Sequence, residues 1–319
     1  MRYKTPLELA EREVPNFDRT GAGLTPRRKV KTITTSRYGE NELIEENHLH
    51  LSSASSSHHE QNQLLAAIPF EDWRLIESHL EWVELLAGST LHVSGGALRH
   101  VYFPTTAVVS LISTMLDGST VEVAAVGPEG MVGVDAFMGS SNSNDGTSAS
   151  GTFSVQNTSL VMRSGHGYRM SAQSIADHAK RSAQVMHHLL NYTRTLFSQI
   201  SQTSACNRHH SLDQQLARWL LVHLERQGDD ELNITQERIA SMLGVRREGV
   251  TAGAMRLQRA GVIRYGRGQI SVLDKDGLKL HSCECHAVIR GAYERLSRDA
   301  APQAPLSADV SPIRGHSQN

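Results

Sequence analysis

The sequence predicts an α+β protein: an N-terminal antiparallel β-roll, jelly-roll-like in outline, then a long helix, then a C-terminal winged helix-turn-helix. Three observations carry that prediction. Short β-rich runs punctuated by turn residues fill 90–163. An apolar repeat at three- and four-residue steps runs over 171–204. The spacing Ala240, Gly244, Val250 marks two helices that cross at a tight turn. A length of 319 residues suits about two domains of roughly 150 residues each.

Each part has its own justification. Residues 1–60 carry Pro6, Pro15 and Pro26, a basic run at 27–31 and a polar tract at Ser52–His59, with no sustained period, and read as a disordered extension. The β-roll is expected over 61–170. Leu64, Leu65, Ile68, Trp73, Leu75, Ile76 and Leu80 suggest short helices before it, with Pro69 at a boundary. Strands are expected at Thr90–Val93, His100–Phe103, Val108–Met115, Thr120–Val126, Gly151–Val155 and Leu160–Arg163, with Asp117-Gly118 as a hairpin turn. Residues 139–151 are nearly all Ser, Asn, Gly, Thr and Asp, the composition of a loop.

The helix expected over 171–205 would be about 50 Å long, and a helix of that length with a narrow apolar seam pairs with a copy of itself. Val185, Met186, Leu189, Thr193, Leu196 and Ile200 are the expected dimerisation residues. A further helix at about Ser211–Gln227 ends at Gly228, and Leu232–Ile234 reads as a short strand. Residues 291–319 read as a mostly disordered tail.

The DNA-binding domain is expected over 206–290, and residues 234–263 are its most informative segment. Thr235 suits an N-cap, Gly244 suits the inter-helix turn, and Ile239, Leu243, Val245 and Val250 supply a shared apolar face. Residues 265–272 read as the hairpin of a wing. Charge points the same way. The whole chain has 32 basic and 33 acidic residues, net −1, which excludes a globally basic nucleic-acid binder and an acidic-tail protein. Residues 234–270 alone hold seven arginines against two glutamates, a local +5 that fits a DNA reader. Arg247 and Glu248 are expected to read base edges, since arginine pairs with guanine and glutamate accepts from cytosine. Arg246 and Arg267 are expected on phosphates, and Thr235, Gln236, Thr251 and Arg256 complete the candidate DNA contacts. Gly253 and Ala254, odd inside a helix, point to close packing.

With these motifs in place, residues 63–290 resemble the Crp/Fnr family of bacterial transcription regulators. HVYFPTTAVVSLIS at 100–113, DGSTVEVAAVGPEGMVG at 117–133, ACNRHHSLDQQLARWLL at 205–221 and GVRREGV at 244–250 carry the resemblance. It implies a cyclic-nucleotide-binding-like β-roll, a homodimer, and a palindromic operator read in half-sites about one helical turn apart. It implies double-stranded DNA and a second copy of the chain as partners, with RNA polymerase open as a third. It places an effector pocket around Glu129, Gly130, Gly133, Asp135 and Ser148. Family members that bind cyclic AMP hold the ribose with a Glu and the phosphate with an Arg. Val134 and Thr147 stand at those places, which implies that the usual mode of cyclic-AMP binding is lost.

Other chemistry is thinner. Three cysteines, Cys206, Cys283 and Cys285, are too few for the family's four-cysteine iron–sulfur cluster and too odd a count for a disulfide framework, and suit a reducing cytoplasm. Cys283-Glu284-Cys285-His286 has a one-residue spacing where zinc pairs have two to four, so a surface turn and a buried cysteine are expected, with Cys206, His209 and His210 as outside candidates for a metal or thiol switch. His92, His100 and Glu122 lack the tight His-x-His pattern of a metalloenzyme roll, so no enzymatic activity and no cofactor are expected. No stretch approaches the roughly 20 apolar residues of a membrane span, and Met1–Val14 lacks a signal-peptide centre.

Overall fold

The computed structural model describes residues 59–138, 155–266 and 268–300. Nearly all of the expected N-terminal extension, the loop 139–151, most of the strand expected at 151–155, and residues 301–319 lie outside these.

Seven strands build the β-roll: β1 (Glu81–Leu85), β2 (Thr90–His92), β3 (His100–Pro104), β4 (Val108–Thr114), β5 (Thr120–Val126), β6 (Thr158–Arg163) and β7 (Gly165–Ser171). They form two antiparallel sheets, ordered β1-β7-β3 and β2-β6-β4-β5. Alternate residues such as Val83, Leu85, Val101, Phe103, Val109, Leu111, Val126 and Val161 point into one core between them. The Asp117-Gly118 turn behaves as the sequence indicates: Gly118 has φ +82°, and the Asp117 carboxylate accepts from the Ser119 N–H at 2.9 Å.

β7 was not foreseen. Its GHGYRMS sequence is poor in strand formers, yet it is the central strand of its sheet. Its glycines are what the position requires. A Cβ at Gly165 would lie 2.5 Å from the Ala107 nitrogen, and one at Gly167 would lie 2.6 Å from the Phe103 carbonyl oxygen. Residues that read as breakers are here the means of close backbone approach.

Before the roll come α1 (Gln63–Ala66) and α2 (Phe70–Ile76), the latter starting at Pro69. After it the single expected helix is two: α3 (Ala172–Arg181) and α4 (Ala183–His209). Ser182 breaks them apart in an extended conformation. Its hydroxyl accepts from the Val185 N–H and donates to Asp72 at 2.8 Å. α4 is about 40 Å long at 1.5 Å per residue.

α4 corrects the dimerisation assignment in part. Val185, Leu189 and Leu196 are buried in the β-roll core of their own chain, so they cannot meet a partner; Met186, Thr193 and Ile200 are half-buried. The outward stripe is His187, Leu190, Arg194, Phe197 and Ser201, with Leu190 48% and Phe197 68% exposed.

The C-terminal region holds α5 (Leu212–Gln227), β8 (Glu231–Asn233), α6 (Gln236–Leu243), α7 (Arg247–Arg259), β9 (Ile263–Gly266), β10 (Gln269–Val272), α8 (Lys275–His281) and α9 (Cys285–Ala300). β8, β10 and β9 make a small antiparallel sheet in that order. Leu216, Trp219, Leu220 and Leu224 of α5 share a core with α6, α7 and the sheet, and the same core reaches Ile112 and Leu160 on the outer face of the roll. β4 is therefore buried on both faces from Val108 to Ile112, which accounts for its unbroken apolar run. α9 overturns the expectation of a tail beginning at residue 291. It continues to Ala300, packs along α4 through Ile289, Ala292, Tyr293 and Leu296, and Ser297 meets Gln63 at 2.9 Å. Among the described residues, no helix is long and apolar enough to cross a membrane.

Candidate nucleic-acid interface and effector pocket

Thr235 caps α6, its hydroxyl accepting from the Arg238 N–H at 3.2 Å. Gly244 ends α6 in the left-handed region at φ +65°, which any side chain would resist. The chain then enters α7 through Arg246 in an extended conformation with no side-chain cap, so the first N–H groups of α7 remain available to an anion. Arg246, Arg247 and Glu248 are exposed on this first turn, and their side chains have no hydrogen-bond or ion-pair partner among the described residues. This is the helix end that enters a major groove in a helix-turn-helix.

The other expected contacts are distributed differently. Thr251 donates to the Gln236 side chain at 2.6 Å, so these two tie α6 to α7. Arg256, a candidate DNA contact, is already paired within the chain. Its guanidinium makes a two-pronged pair with Asp213 at the start of α5, because α7 lies close against α5. That closeness explains the glycines: a Cβ at Gly249 would lie 2.7 Å from Leu212, and one at Gly253 would lie 3.0 Å from Asp213. Arg267, which falls between β9 and β10 in sequence, lies outside the described residues.

The module sits against the roll. The Thr120 hydroxyl meets the Ser241 hydroxyl at 2.7 Å, and Gly244 faces Val121. A cleft of about 1060 Å³ opens between the β4–β5 hairpin and α7, lined by Met115, Ser119, Glu237, Arg246, Arg247 and Glu248. Two polar pairs lock the halves together, and neither is legible as a contact in the sequence. The buried Glu122 carboxylate accepts from Ser110 at 2.5 Å and meets His223 of α5 at 3.0 Å. Arg226 pairs with Glu129 at 2.6 Å and lies over the Tyr293 ring.

The effector-pocket set divides in two. Gly133 and Asp135 line a cavity of about 190 Å³ between the roll and α4, with His92, Leu111, Met131, Val134, Leu196 and Phe197 among the other walls. Glu129 does not: it is committed to Arg226. Nor does Gly130, where any Cβ would run into the Tyr192 ring, and whose carbonyl accepts from Asn62 at 2.8 Å. Thr147 and Ser148 lie outside the described residues. No arginine or lysine lines the cavity among the described residues. Its one carboxyl, Asp135, has its pKa raised by burial. His92 Nε2 donates to the His100 carbonyl at 2.8 Å, a structural role and not that of a metal ligand.

Among the described residues, one group of metal-ligating side chains comes together: Cys206, His210, Cys283 and Cys285, whose ligand atoms all lie within 4.8 Å of one another. Cys206 and His210 stand one turn apart at the end of α4, while Cys283 and Cys285 flank the turn between α8 and α9. The turn does reach the surface at Glu284, but all three cysteines are buried and gather into a small core. Burial pushes the Cys206 thiol up to about 12, against the pull of Arg218. The one-residue spacing hid this group because its other half lies more than 70 residues away in sequence and is joined only by the fold.

The fold is a helix-turn-helix with a small antiparallel sheet, set against an antiparallel β-roll that a long helix also packs on. Residues 214–280 match the family model of the Crp-like helix-turn-helix domain. The chain is similar to the crystal structure of a Crp/Fnr-family transcriptional regulator from Eubacterium rectale ATCC 33656, at 21% identity, 70% of this chain, 98% of that one and a TM-score of 0.55. It is similar to FixK2 from Bradyrhizobium japonicum at 16% identity, 64% and 98% coverage, and a TM-score of 0.52. No curated protein sequence matches it. The chain thus carries a Crp-like helix-turn-helix domain at residues 214–280 and shares the fold of these solved structures.

Proposed function

We propose that the chain is a sequence-specific DNA-binding transcription regulator acting as a homodimer on a palindromic operator. The observation that carries this reading is the exposed, unpartnered Arg246-Arg247-Glu248 turn at the start of α7, within a Crp-like helix-turn-helix. Arg247 and Glu248 read base edges, Arg246 a phosphate, and the two recognition helices enter successive major grooves about 34 Å apart. Pairing along the Leu190–Phe197 stripe of α4 would bring the two copies together and cover the mouth of the cavity that Phe197 lines.

The effector reading follows from the cavity. Its volume of about 190 Å³ falls below the roughly 300 Å³ where small-molecule sites begin, and its walls are mostly apolar, with His92, Gln156, Asn157, Ser159 and Thr193 as polar groups and Asp135 as the one carboxyl among the described residues. A cyclic phosphate would meet no cation there among the described residues. Calorimetric titration with cyclic AMP is expected to give no heat of binding.

The test of the main reading is footprinting of the protein on genomic DNA to define an operator, followed by titration of Arg247→Ala and Glu248→Ala on it. Each loss is expected to cost about 1–3 kcal/mol, and the double variant to lose operator preference while remaining a dimer. Protection of the same operator by the double variant would overturn the assignment.

A further inference from the structure

We propose that Cys206, His210, Cys283 and Cys285 form a closed, four-ligand site for a single zinc ion that fastens the end of α4 to the turn between α8 and α9.

Geometry is the first argument. Zn–S bonds of about 2.3 Å and Zn–N bonds of about 2.0–2.1 Å in a tetrahedron place neighbouring ligand atoms roughly 3.5–3.8 Å apart. Cys206 Sγ and Cys283 Sγ stand 3.5 Å apart, and Cys285 Sγ and His210 Nδ1 stand 3.4 Å apart. No ligand atom is more than 4.8 Å from another. A tetrahedron of that size holds one ion; an iron–sulfur cluster spreads its ligands over several irons and needs a wider cage. Three sulfurs and one imidazole form a donor set typical of zinc.

The surroundings give independent support. A metal-bound imidazole characteristically donates its second N–H to a carboxylate, which fixes the ring and its tautomer. His210 presents Nδ1 to the sulfurs and Nε2 to the Glu284 carboxylate at 3.2 Å. His286, adjacent in sequence to Cys285, turns away to Glu225 at 3.0 Å and leaves the fourth place to His210. Gln202 Nε2 donates to Cys285 Sγ at 3.0 Å, the kind of bond a metal thiolate accepts.

Charge completes the case. Arg218 is buried, its Nε has no partner, and its guanidinium meets only the neutral Thr203 hydroxyl among the described residues. A buried cation without a counter-charge is costly. Zinc with three thiolates and a neutral imidazole carries net −1, and Arg218 lies close enough to Cys206 to interact with it electrostatically. With all four positions supplied by the chain, three of them by buried cysteines, the site is structural. Binding forms three Zn–S bonds and one Zn–N bond as the three thiols release their protons.

The experiment uses the untagged full chain, purified under reducing conditions. Elemental analysis is expected to give one zinc per chain. Replacement by cobalt(II) should produce tetrahedral d–d bands and thiolate-to-cobalt charge transfer, both lost in Cys283→Ser and Cys285→Ser. Because a cysteine variant can fail to fold, Glu284→Gln, at an exposed position, provides the second arm. It should keep the far-UV spectrum of the parent and hold zinc about 10–100-fold more weakly in competition with a chelator. A reduced, folded parent that takes up neither zinc nor cobalt would overturn the proposal. So would a mass two hydrogens lower that maps to a Cys206–Cys283 disulfide, or an affinity unchanged by Glu284→Gln.

Discussion

His92 shows how one residue in the roll is fixed by its surroundings. Burial holds its pKa below the ordinary 6.5, outweighing the hydrogen bond to the His100 carbonyl that favours the charged form. With Nε2 donating to that carbonyl, Nδ1 is left to accept from Ser159 at 3.3 Å, so the neutral ring satisfies both neighbours. The sign follows from linkage. Above 6.5 both the folded and the unfolded states are neutral at this residue, and its contribution is complete. As pH falls from 6.5 through the lowered folded value, the unfolded state binds the proton first and stability drops. A single group limits that slope to about 1.4 kcal/mol per pH unit. Urea unfolding of His92→Gln is expected to show a flatter loss of stability on acidification than the parent, and equal slopes would count against the assignment.

At the scale of elements, α4 has two apolar sides with different duties. One side, through Val185, Leu189, Tyr192 and Leu196, closes the β-roll core, and the opposite side presents Leu190 and Phe197 to solvent. Leu190→Glu/Phe197→Glu is expected to shift the protein from dimer to monomer in sedimentation or light scattering without loss of helix content. The same pair of changes at Val185 and Leu189 would instead unfold the roll. Two apolar sides also explain what could be read in advance. Periodicity located α4 and its apolar positions, yet a repeat at steps of three and four records only that a side chain is apolar, not whose core it enters. The helix-turn-helix was legible for a different reason: Thr235, Gly244 and Val250 answer to local geometry, and local geometry is written in adjacent residues. The pairing of Arg256 with Asp213 could not be read in advance because its partner lies on another helix. β7 was missed because its glycines serve a contact with β3 and the loop after it that no window of sequence contains.

On the scale of the whole molecule, the roll and the winged helix are joined by an apolar seam with two polar pairs set into it. Glu122 and His223 are 6% and 1% exposed, so neither can fall back on water if the other is removed. Glu122→Ala is expected to destabilise the protein by roughly 3–5 kcal/mol, since it leaves His223 and Ser110 without their shared acceptor. Glu122→Leu/His223→Phe should recover much of that loss, because an apolar pair of similar volume removes the desolvation cost of both groups. Denaturant titrations of the single and double variants measure the coupling. A single variant with parental stability would show that the pair contributes nothing to holding the halves together.

From Val108 to Ile112 β4 has no side facing water, and its alternation turns it into a partition with a different listener on each face. Leu111 is a wall of the cavity between the roll and α4, Ile112 belongs to the core of the winged helix, and Ser110 holds the carboxylate that meets His223. The pairing with β5 is irregular between Leu111 and Ile112, the one peptide at which these audiences meet. Anything that crowds the cavity against Leu111 therefore presses on a strand whose neighbouring residue already sits inside the DNA-binding half, and a message between the two has only the thickness of a single strand to cross.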